Sequence, residues 1–371
     1  HTLSRLYETM LREMRDAAGD SGEFYTPRPV VRFMVEVINP RLGESILDPA
    51  CGSGIFLTEA FRRFAYRHTV ANGEPSSFAG LSALLTRSTH GIDKSAAAIG
   101  VSAFGLYLAL LEHVDPPTAW REARLPVLVG ENLVVSDFFD DHALSHRTFD
   151  LVVGNPPWKS QLSPAAAAFV RRENIQLPDR QIALAFLWRA TQLTTAGGAT
   201  GLVLPAKSLL HNRSAPAEAA RQRLFTDLDV ETVMDLSPLR RETFGAAISP
   251  AAIAVVRRRA ATNDEGTETV HVSPRRTPLA SAIDAIVVSQ ENIRVVPRAL
   301  TTASSEIWKV YLGGGPSDFD LITRLRESFP SLDAIARSRG WSSGQGFQIK
   351  GGDQNDASEI VGLPFIATSS V

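Results

Sequence analysis

The feature that most constrains the fold of this chain is the turn Asp48-Pro49-Ala50-Cys51-Gly52-Ser53-Gly54, set between a short apolar strand at 45–48 and a helix from 55 to about 67. Glycines at such a junction let backbone amides approach a ligand closely, and the amino end of the following helix favours a negative group such as a carboxylate. Dinucleotide-binding folds and plain tight turns use the same device, so the turn by itself leaves the ligand open. What it does fix is a strand–turn–helix unit, and the rest of the chain repeats that alternation.

Further strands are expected at 90–92, 127–129, 149–153, 200–204, 230–236 and 251–257. Between them lie helical patterns at 29–38, 95–111 and 181–195, the last ended by Gly197-Gly198. The run 149–153 is apolar at nearly every position, as a strand covered on both faces should be. Strands alternating with helices at this spacing predict a mostly parallel α/β sheet of seven strands with helices on both faces. Residues 3–17 carry Leu3, Leu6, Tyr7, Met10, Leu11 and Met14 at helical spacing, which predicts a helix before the sheet. The stretch 70–88 reads as a polar surface insertion and 260–268 as a loop; Gly313-Gly314-Gly315-Pro316 marks a linker into a helix at 318–328. The expected organisation is an N-terminal helical segment at 1–40, a catalytic domain at 41–296, and a linker with the start of a further module at 297–371.

Two more acids fall where the first turn would need them. The strand at 90–92 ends in Asp93, suited to accept hydrogen bonds from two ribose hydroxyls, although a plain helix N-cap before Ser95 is an equally good reading of that residue alone. Asp137, in a turn after the third strand, would receive an amino group of a bound adenine, with Phe138 packed on its ring; a capping turn is the bland reading. Three acids at three successive strand ends are harder to dismiss, because open α/β sheets bind ligands at the carboxyl ends of their strands.

The segment that decides the chemistry is Asn155-Pro156-Pro157-Trp158, directly after the apolar strand. Two successive prolines preset the backbone, so that the Asn155 side chain and the Pro156 carbonyl converge as two acceptors. An exocyclic amine is a poor nucleophile because its lone pair is delocalised into the ring. Gripping both of its hydrogens draws the nitrogen toward tetrahedral geometry and aims the lone pair at a methyl donor. Trp158 supplies a flat face for an extruded base.

Together, DPACGSG followed by NPPW resembles the amino-methylating DNA methyltransferases of the N6-adenine branch. That resemblance implies a Rossmann-like S-adenosylmethionine (SAM) dependent methyltransferase fold, with SAM held by the residues Asp48 to Gly54 and the tetrapeptide as the catalytic motif. Gly22-Glu23-Phe24-Tyr25-Thr26-Pro27 is similar to a family element that precedes the SAM loop and contacts the methionine end of the cofactor. A further family element, an aromatic residue before a late strand that stacks on the flipped base, matches Phe244. The implied cofactor pocket is Phe24, Tyr25, Thr26, Pro27, Asp48, Pro49, Ala50, Cys51, Gly52, Ser53, Gly54, Asp93, Asp137 and Phe138. The implied catalytic set is Asn155, Pro156, Pro157 and Trp158. The motif order is similar to the subgroup whose recognition domain lies C-terminal, which includes modification subunits of type I restriction systems, fused restriction-methylation enzymes and phage-defence methyltransferases. The resemblance therefore implies double-stranded DNA as substrate, and a specificity subunit, a nuclease or other defence proteins as partners. It covers roughly residues 5–258; GWSSGQGF, beginning at Gly340, is similar to the junction into a recognition domain.

Composition narrows the classes further. With 44% hydrophobic and 21% charged residues in 371, an ordinary globular protein is expected. No run of about 18 apolar residues occurs and the first residues are not signal-like, so neither a membrane span nor a secretory leader is expected, and a cytoplasmic location is. The single cysteine, Cys51, excludes an intrachain disulfide and a multi-cysteine metal site, and no metal is implied. A net charge of −2 argues against coating nucleic acid by electrostatics alone, so DNA contact must be local. Only five of the 38 basic residues are lysines, and arginines pair at Arg171-Arg172, Arg240-Arg241, Arg257 to Arg259 and Arg275-Arg276, on surfaces that are either solvated or phosphate-facing. The chain opens on His1 rather than Met, and further segments beyond either end are expected. Other readings stay open: tetrapeptides of this type also occur in methyltransferases of ribosomal RNA bases and of protein glutamine, a SAM-binding subunit without turnover would keep the pocket, and a nucleotide-dependent oxidoreductase would use a related sheet.

Overall fold

A computed structural model describes residues 26–115, 117, 121, 124–142, 144, 147–240, 250–258, 268–278, 285–303 and 305–341. The expected N-terminal helix at 3–17, Phe24, Tyr25, Phe244, Arg241, Arg259, nearly all of the 260–268 loop and GWSSGQGF beyond Trp341 lie outside them.

Nine strands form one sheet in the order β3-β2-β1-β4-β5-β7-β6-β8-β9. They are β1 (Ile46–Asp48), β2 (Thr89–Asp93), β3 (Leu133–Val135), β4 (Phe149–Gly154), β5 (Thr194–Pro205), β6 (Leu228–Asp235), β7 (Ala251–Arg258), β8 (Thr269–Val272) and β9 (Ile293–Val296). Pairing is parallel from β3 through β5 and between β6 and β8; β7 runs antiparallel to both its neighbours, and β9 to β8. Strands β8 and β9, each four residues long, were not anticipated and raise the expected seven to nine.

Why the sheet is covered on both faces can be read along its strands. In β4, Leu151 and Val153 enter one apolar cluster and Val152 the other, which Phe149 also joins because the register shifts between it and Leu151. Strand β7 divides in the same way, with Ile253 and Val255 on one side and Ala252, Ala254 and Val256 on the other. Side chains alternate across a strand, so a continuous apolar run fills two cores at once. The first core is roofed by α1 (Arg28–Ile38), α2 (Ile55–Asn72), α3 (Phe78–Ser88) and α4 (Ala96–Leu111). The second is roofed by α5 (Pro164–Arg172), α6 (Ile182–Gln192), α7 (Ala215–Asp227) and, after the short α8 (Arg298–Ala303), α9 (Glu306–Tyr311).

Three local expectations need correction. The third strand is not at 127–129: Val127 and Val129 are exposed, and Val129 makes only an isolated bridge to Leu133. Gly130, at φ +88°, turns the chain so that the fully buried Leu133 enters the sheet opposite Gly91. Second, the 70–88 stretch contains α3, whose Ser77 side chain accepts the Gly80 N–H at 3.1 Å and whose Phe78, Leu81, Leu84 and Leu85 are buried. Third, Gly197-Gly198 does not separate helix from strand but lies inside β5. A Cβ on Gly198 would stand 2.5 Å from the Asp150 carbonyl, so the glycine permits close approach of β4 rather than a break.

The sheet-bearing unit runs on to Phe319, past the boundary expected at 297, because Ile307, Trp308 and Tyr311 of α9 are buried in the second core. Helix α10 (Pro316–Ser328) begins in it. From Asp320 a second compact unit follows, whose described part holds the rest of α10 and α11 (Leu332–Ser338). Among the described residues no helix is long and apolar enough to cross a membrane.

Candidate active site at the carboxyl edge of the sheet

Strand β1 pairs with β2 on one side and β4 on the other, so the chain winds outward through β2 and β3 and returns to β4. The crevice beyond the carboxyl ends of β1 and β4 is the switch point at which open α/β sheets hold ligands. The predicted glycine turn follows β1 and the predicted tetrapeptide follows β4.

The turn is built by close approach. Cys51 N–H donates to the Ile92 carbonyl at 2.9 Å and Gly54 N–H to the Cys51 carbonyl at 2.7 Å. Gly54 sits at φ +74°, and a Cβ there would lie 2.5 Å from Ser102 Oγ on α4. Ser102 Oγ in turn donates to the Gly52 carbonyl at 3.1 Å, clamping the loop from beneath. Asp48 is buried and accepts Ala50 N–H at 3.1 Å; burial pushes its carboxyl up to about 8, with the Asp93 charge adding to the rise. Gly154 ends β4 against that carboxyl, where a Cβ would come within 2.6 Å of Asp48 Oδ1. Cys51 is 4% exposed, and burial, then the Asp48 charge, push its thiol up, the opposite of what a nucleophile requires.

Asp93 is not the helix cap. Ser95 caps α4, its side chain accepting Ala98 N–H at 3.2 Å, while Asp93 takes Gly52 N–H at 2.9 Å on one oxygen and Ser95 N–H at 2.8 Å on the other. Asp137 accepts Phe139 N–H at 3.0 Å and pairs with Lys94 Nζ at 3.0 Å. Burial works to raise its carboxyl, but hydrogen bonds from Ser163, Phe139 N–H and Lys94 outweigh it and hold it below the usual carboxylate range. Phe138 is buried and stacked on Phe186, centroids 5.0 Å apart. Arg189, reaching over from α6, donates from Nε to the Phe138 carbonyl at 2.7 Å and pins this turn.

Asn155 Nδ2 donates to Thr26 Oγ1 at 3.0 Å across 129 residues of sequence. Its Oδ1 is buried and has no hydrogen-bond partner. Buried side-chain acceptors are nearly always satisfied, so an open one at a cavity points to a ligand that donates. A cavity of about 470 Å³ joins these groups: its wall includes Gly52, Asp93, Asp137, Phe138, Asn155 and Pro156. Pro49, Ala50 and Pro157 also border it, whereas Asp48, Cys51, Ser53 and Gly54 do not. Trp158 is not among its lining residues either; it packs half-buried against both cores and its Nε1 donates to the Val203 carbonyl at 3.4 Å. Sequence reasoning missed Lys94, Gln161, Ser163 and Phe186 on the wall. Only Lys94 and Ser163 carried a signal, the first beside Asp93 and the second as a Ser-Pro helix start.

An open, mostly parallel sheet with this turn, these strand-end acids and this tetrapeptide defines a Rossmann-like methyltransferase fold of the SAM-dependent class. The solved modification subunit of a type I restriction enzyme from Vibrio vulnificus YJ016 shares it, with a TM-score of 0.55, 25% identity, and 80% of this chain and 60% of that one covered. Two family matches, which between them run over residues 1–240, make the chain similar to the N6-adenine DNA methyltransferases of restriction-modification systems. Residues 1–99 match the N-6 DNA Methylase family and residues 87–240 the Eco57I restriction-modification methylase family. The type I restriction enzyme EcoEI methylase subunit of Escherichia coli is 59% identical over 61 residues, 16% of this chain and 12% of that protein. The type II restriction enzyme and methyltransferase RM.Eco57I of Escherichia coli is 27% identical over 209 residues, 47% of this chain and 20% of that protein. The matched region thus spans well under two thirds of each relative.

Proposed function

We propose that this chain methylates the N6 amino group of an adenine extruded from double-stranded DNA, using SAM, within a restriction-modification or phage-defence system. The observation that carries the reading is the buried, unpartnered Asn155 Oδ1 on the wall of a cavity that also presents Asp93 and Asp137. The groups present fit SAM: the amino end of α2, which the glycine turn opens, for its carboxylate, Asp93 for its ribose hydroxyls, and Asp137 with Phe138 for its adenine. When bound, SAM supplies an electrophilic methyl group.

The protein's own part is orientation. Asn155 Oδ1 and the Pro156 carbonyl accept the two hydrogens of the adenine amine without taking either proton, and so turn its lone pair toward the methyl donor. Trp158, with Phe244, would hold the extruded base. Pro27 and the preceding aromatics Phe24 and Tyr25 would close the methionine end of the pocket, with Thr26 turned to Asn155. A specificity subunit or a nuclease is the expected partner.

The test is to express the gene in a host that lacks N6-methyladenine and sequence its genome for the mark, beside Asn155→Ala. Methylation confined to one sequence motif, lost in the variant while SAM affinity stays nearly intact, is the expected result. An Asn155→Ala protein that keeps half its rate would sink the assignment.

A further inference from the structure

We propose that Thr26 is the positioning residue for the catalytic amide: it holds the plane of the Asn155 carboxamide so that Oδ1 stays at the cavity. The proposal rests on the reading of the site given above and extends it to a residue whose family resemblance points to the cofactor instead.

The terminal torsion of asparagine is broad and roughly two-fold, so a free Asn155 side chain would sample many orientations and present either end of its amide to the cavity. An NH2 group facing an adenine amine would set donor against donor. Thr26 is 5% exposed and its hydroxyl accepts from Nδ2 at 3.0 Å, which occupies that end of the amide and leaves Oδ1 open. Turning away costs the bond, because the Thr26 hydroxyl is buried and would lose the amide that donates to it. Thr26 lies two residues before α1, whose Val30, Val31, Met34 and Val35 are buried in the first core, while Asn155 directly follows β4 of the same core. The bond therefore spans two rigidly packed elements.

The experiment measures kcat, KM for DNA and SAM dissociation constants for Thr26→Val, Thr26→Ala and Thr26→Ser. Thr26→Val keeps the shape and removes the acceptor; kcat should fall by about ten- to a hundredfold, equivalent to losing one well-made buried hydrogen bond. SAM affinity should change by less than about threefold, and Thr26→Ser should restore most of the rate. Thr26→Ala serves if the valine variant fails to fold. SAM affinity that collapses while kcat at saturating SAM is kept would overturn the proposal and leave Thr26 a cofactor contact only. A second readout does not depend on the substrate. The Asn155 side-chain amide resonances, assigned by their loss in Asn155→Ala, should shift in Thr26→Val and return in Thr26→Ser; resonances indifferent to Thr26 overturn the proposal even if the wild-type chain methylates no DNA. A wild type that is inactive on DNA but shows the shift overturns the functional reading alone.

Discussion

Asp93 and Gly52 are joined by a hydrogen bond of 2.9 Å from the Gly52 N–H to Asp93 Oδ2, so the acid at the end of β2 also shapes the turn at the end of β1. Its other oxygen is held by Ser95 N–H at 2.8 Å. Asparagine has a single acceptor oxygen and cannot serve both amides. Asp93→Asn should therefore cost about 1 kcal/mol of stability in denaturant unfolding and weaken SAM at least about tenfold by calorimetry. Unchanged SAM affinity would show that the acid builds the turn without reaching the cofactor.

Asp48 gives a pH dependence whose sign follows from its burial. Its folded-state carboxyl is pushed up to about 8 from 3.8, so between those values the folded chain keeps a proton that the unfolded chain has lost. Stability then falls as pH rises from about 4 to about 8, with a slope of at most about 1.4 kcal/mol per pH unit, and levels off above. Asp48→Asn keeps an acceptor for Ala50 N–H and should flatten that part of the profile, read as the urea midpoint against pH. A variant with the wild-type slope would locate the titrating group elsewhere.

The architecture was legible where one face or both had to be apolar. Strand β4 and the glycine turn were placed within a residue or two because burial on two sides leaves no polar alternative and a positive φ at Gly54 leaves no other residue. Strand β3 was misplaced because three apolar residues at 127–129 look the same as three at Leu133–Val135; only the Gly130 turn, which puts Leu133 rather than Val127 inside, decides between them. Strands β8 and β9 escaped because four-residue strands next to a polar stretch carry too little periodicity. In the site, the strand-end acids and Asn155 were readable as motifs. The partners that fix them were not, since Thr26, Ser163 and Arg189 reach them across the fold rather than along the chain.

Arg189 makes the point in energy. It is 5% exposed, donates to the Phe138 carbonyl at 2.7 Å and to Asp141 Oδ1 at 2.8 Å, and lies 5.6 Å from the centroids of Phe138 and Phe169. Arg189→Met keeps the apolar stem in α6 but leaves the Phe138 carbonyl without its donor. A loss of about 2–3 kcal/mol in chemical denaturation is expected, together with weaker SAM binding, because the turn it pins carries Asp137. Equal stability with normal SAM affinity would mean that the turn holds itself.

Lys159 tests where the DNA strand runs. It is exposed, borders the cavity, and follows Trp158; its backbone carbonyl receives Ile182 N–H at 3.0 Å, so the side chain is exchangeable without disturbing that contact. Arg180, exposed at φ +52° two residues before Ile182, stands on the adjoining turn. A non-glycine residue held in a left-handed conformation is a strained feature that a functional role would justify. If both side chains meet phosphates flanking the extruded adenine, Lys159→Gln and Arg180→Gln should each weaken DNA binding at low salt. Each should also lower the slope of log K against log salt by about 0.9, and the double variant by about twice that. Variants that bind less tightly with an unaltered slope would act on the base or the pocket instead, and the strand would have to pass along another face of the cavity.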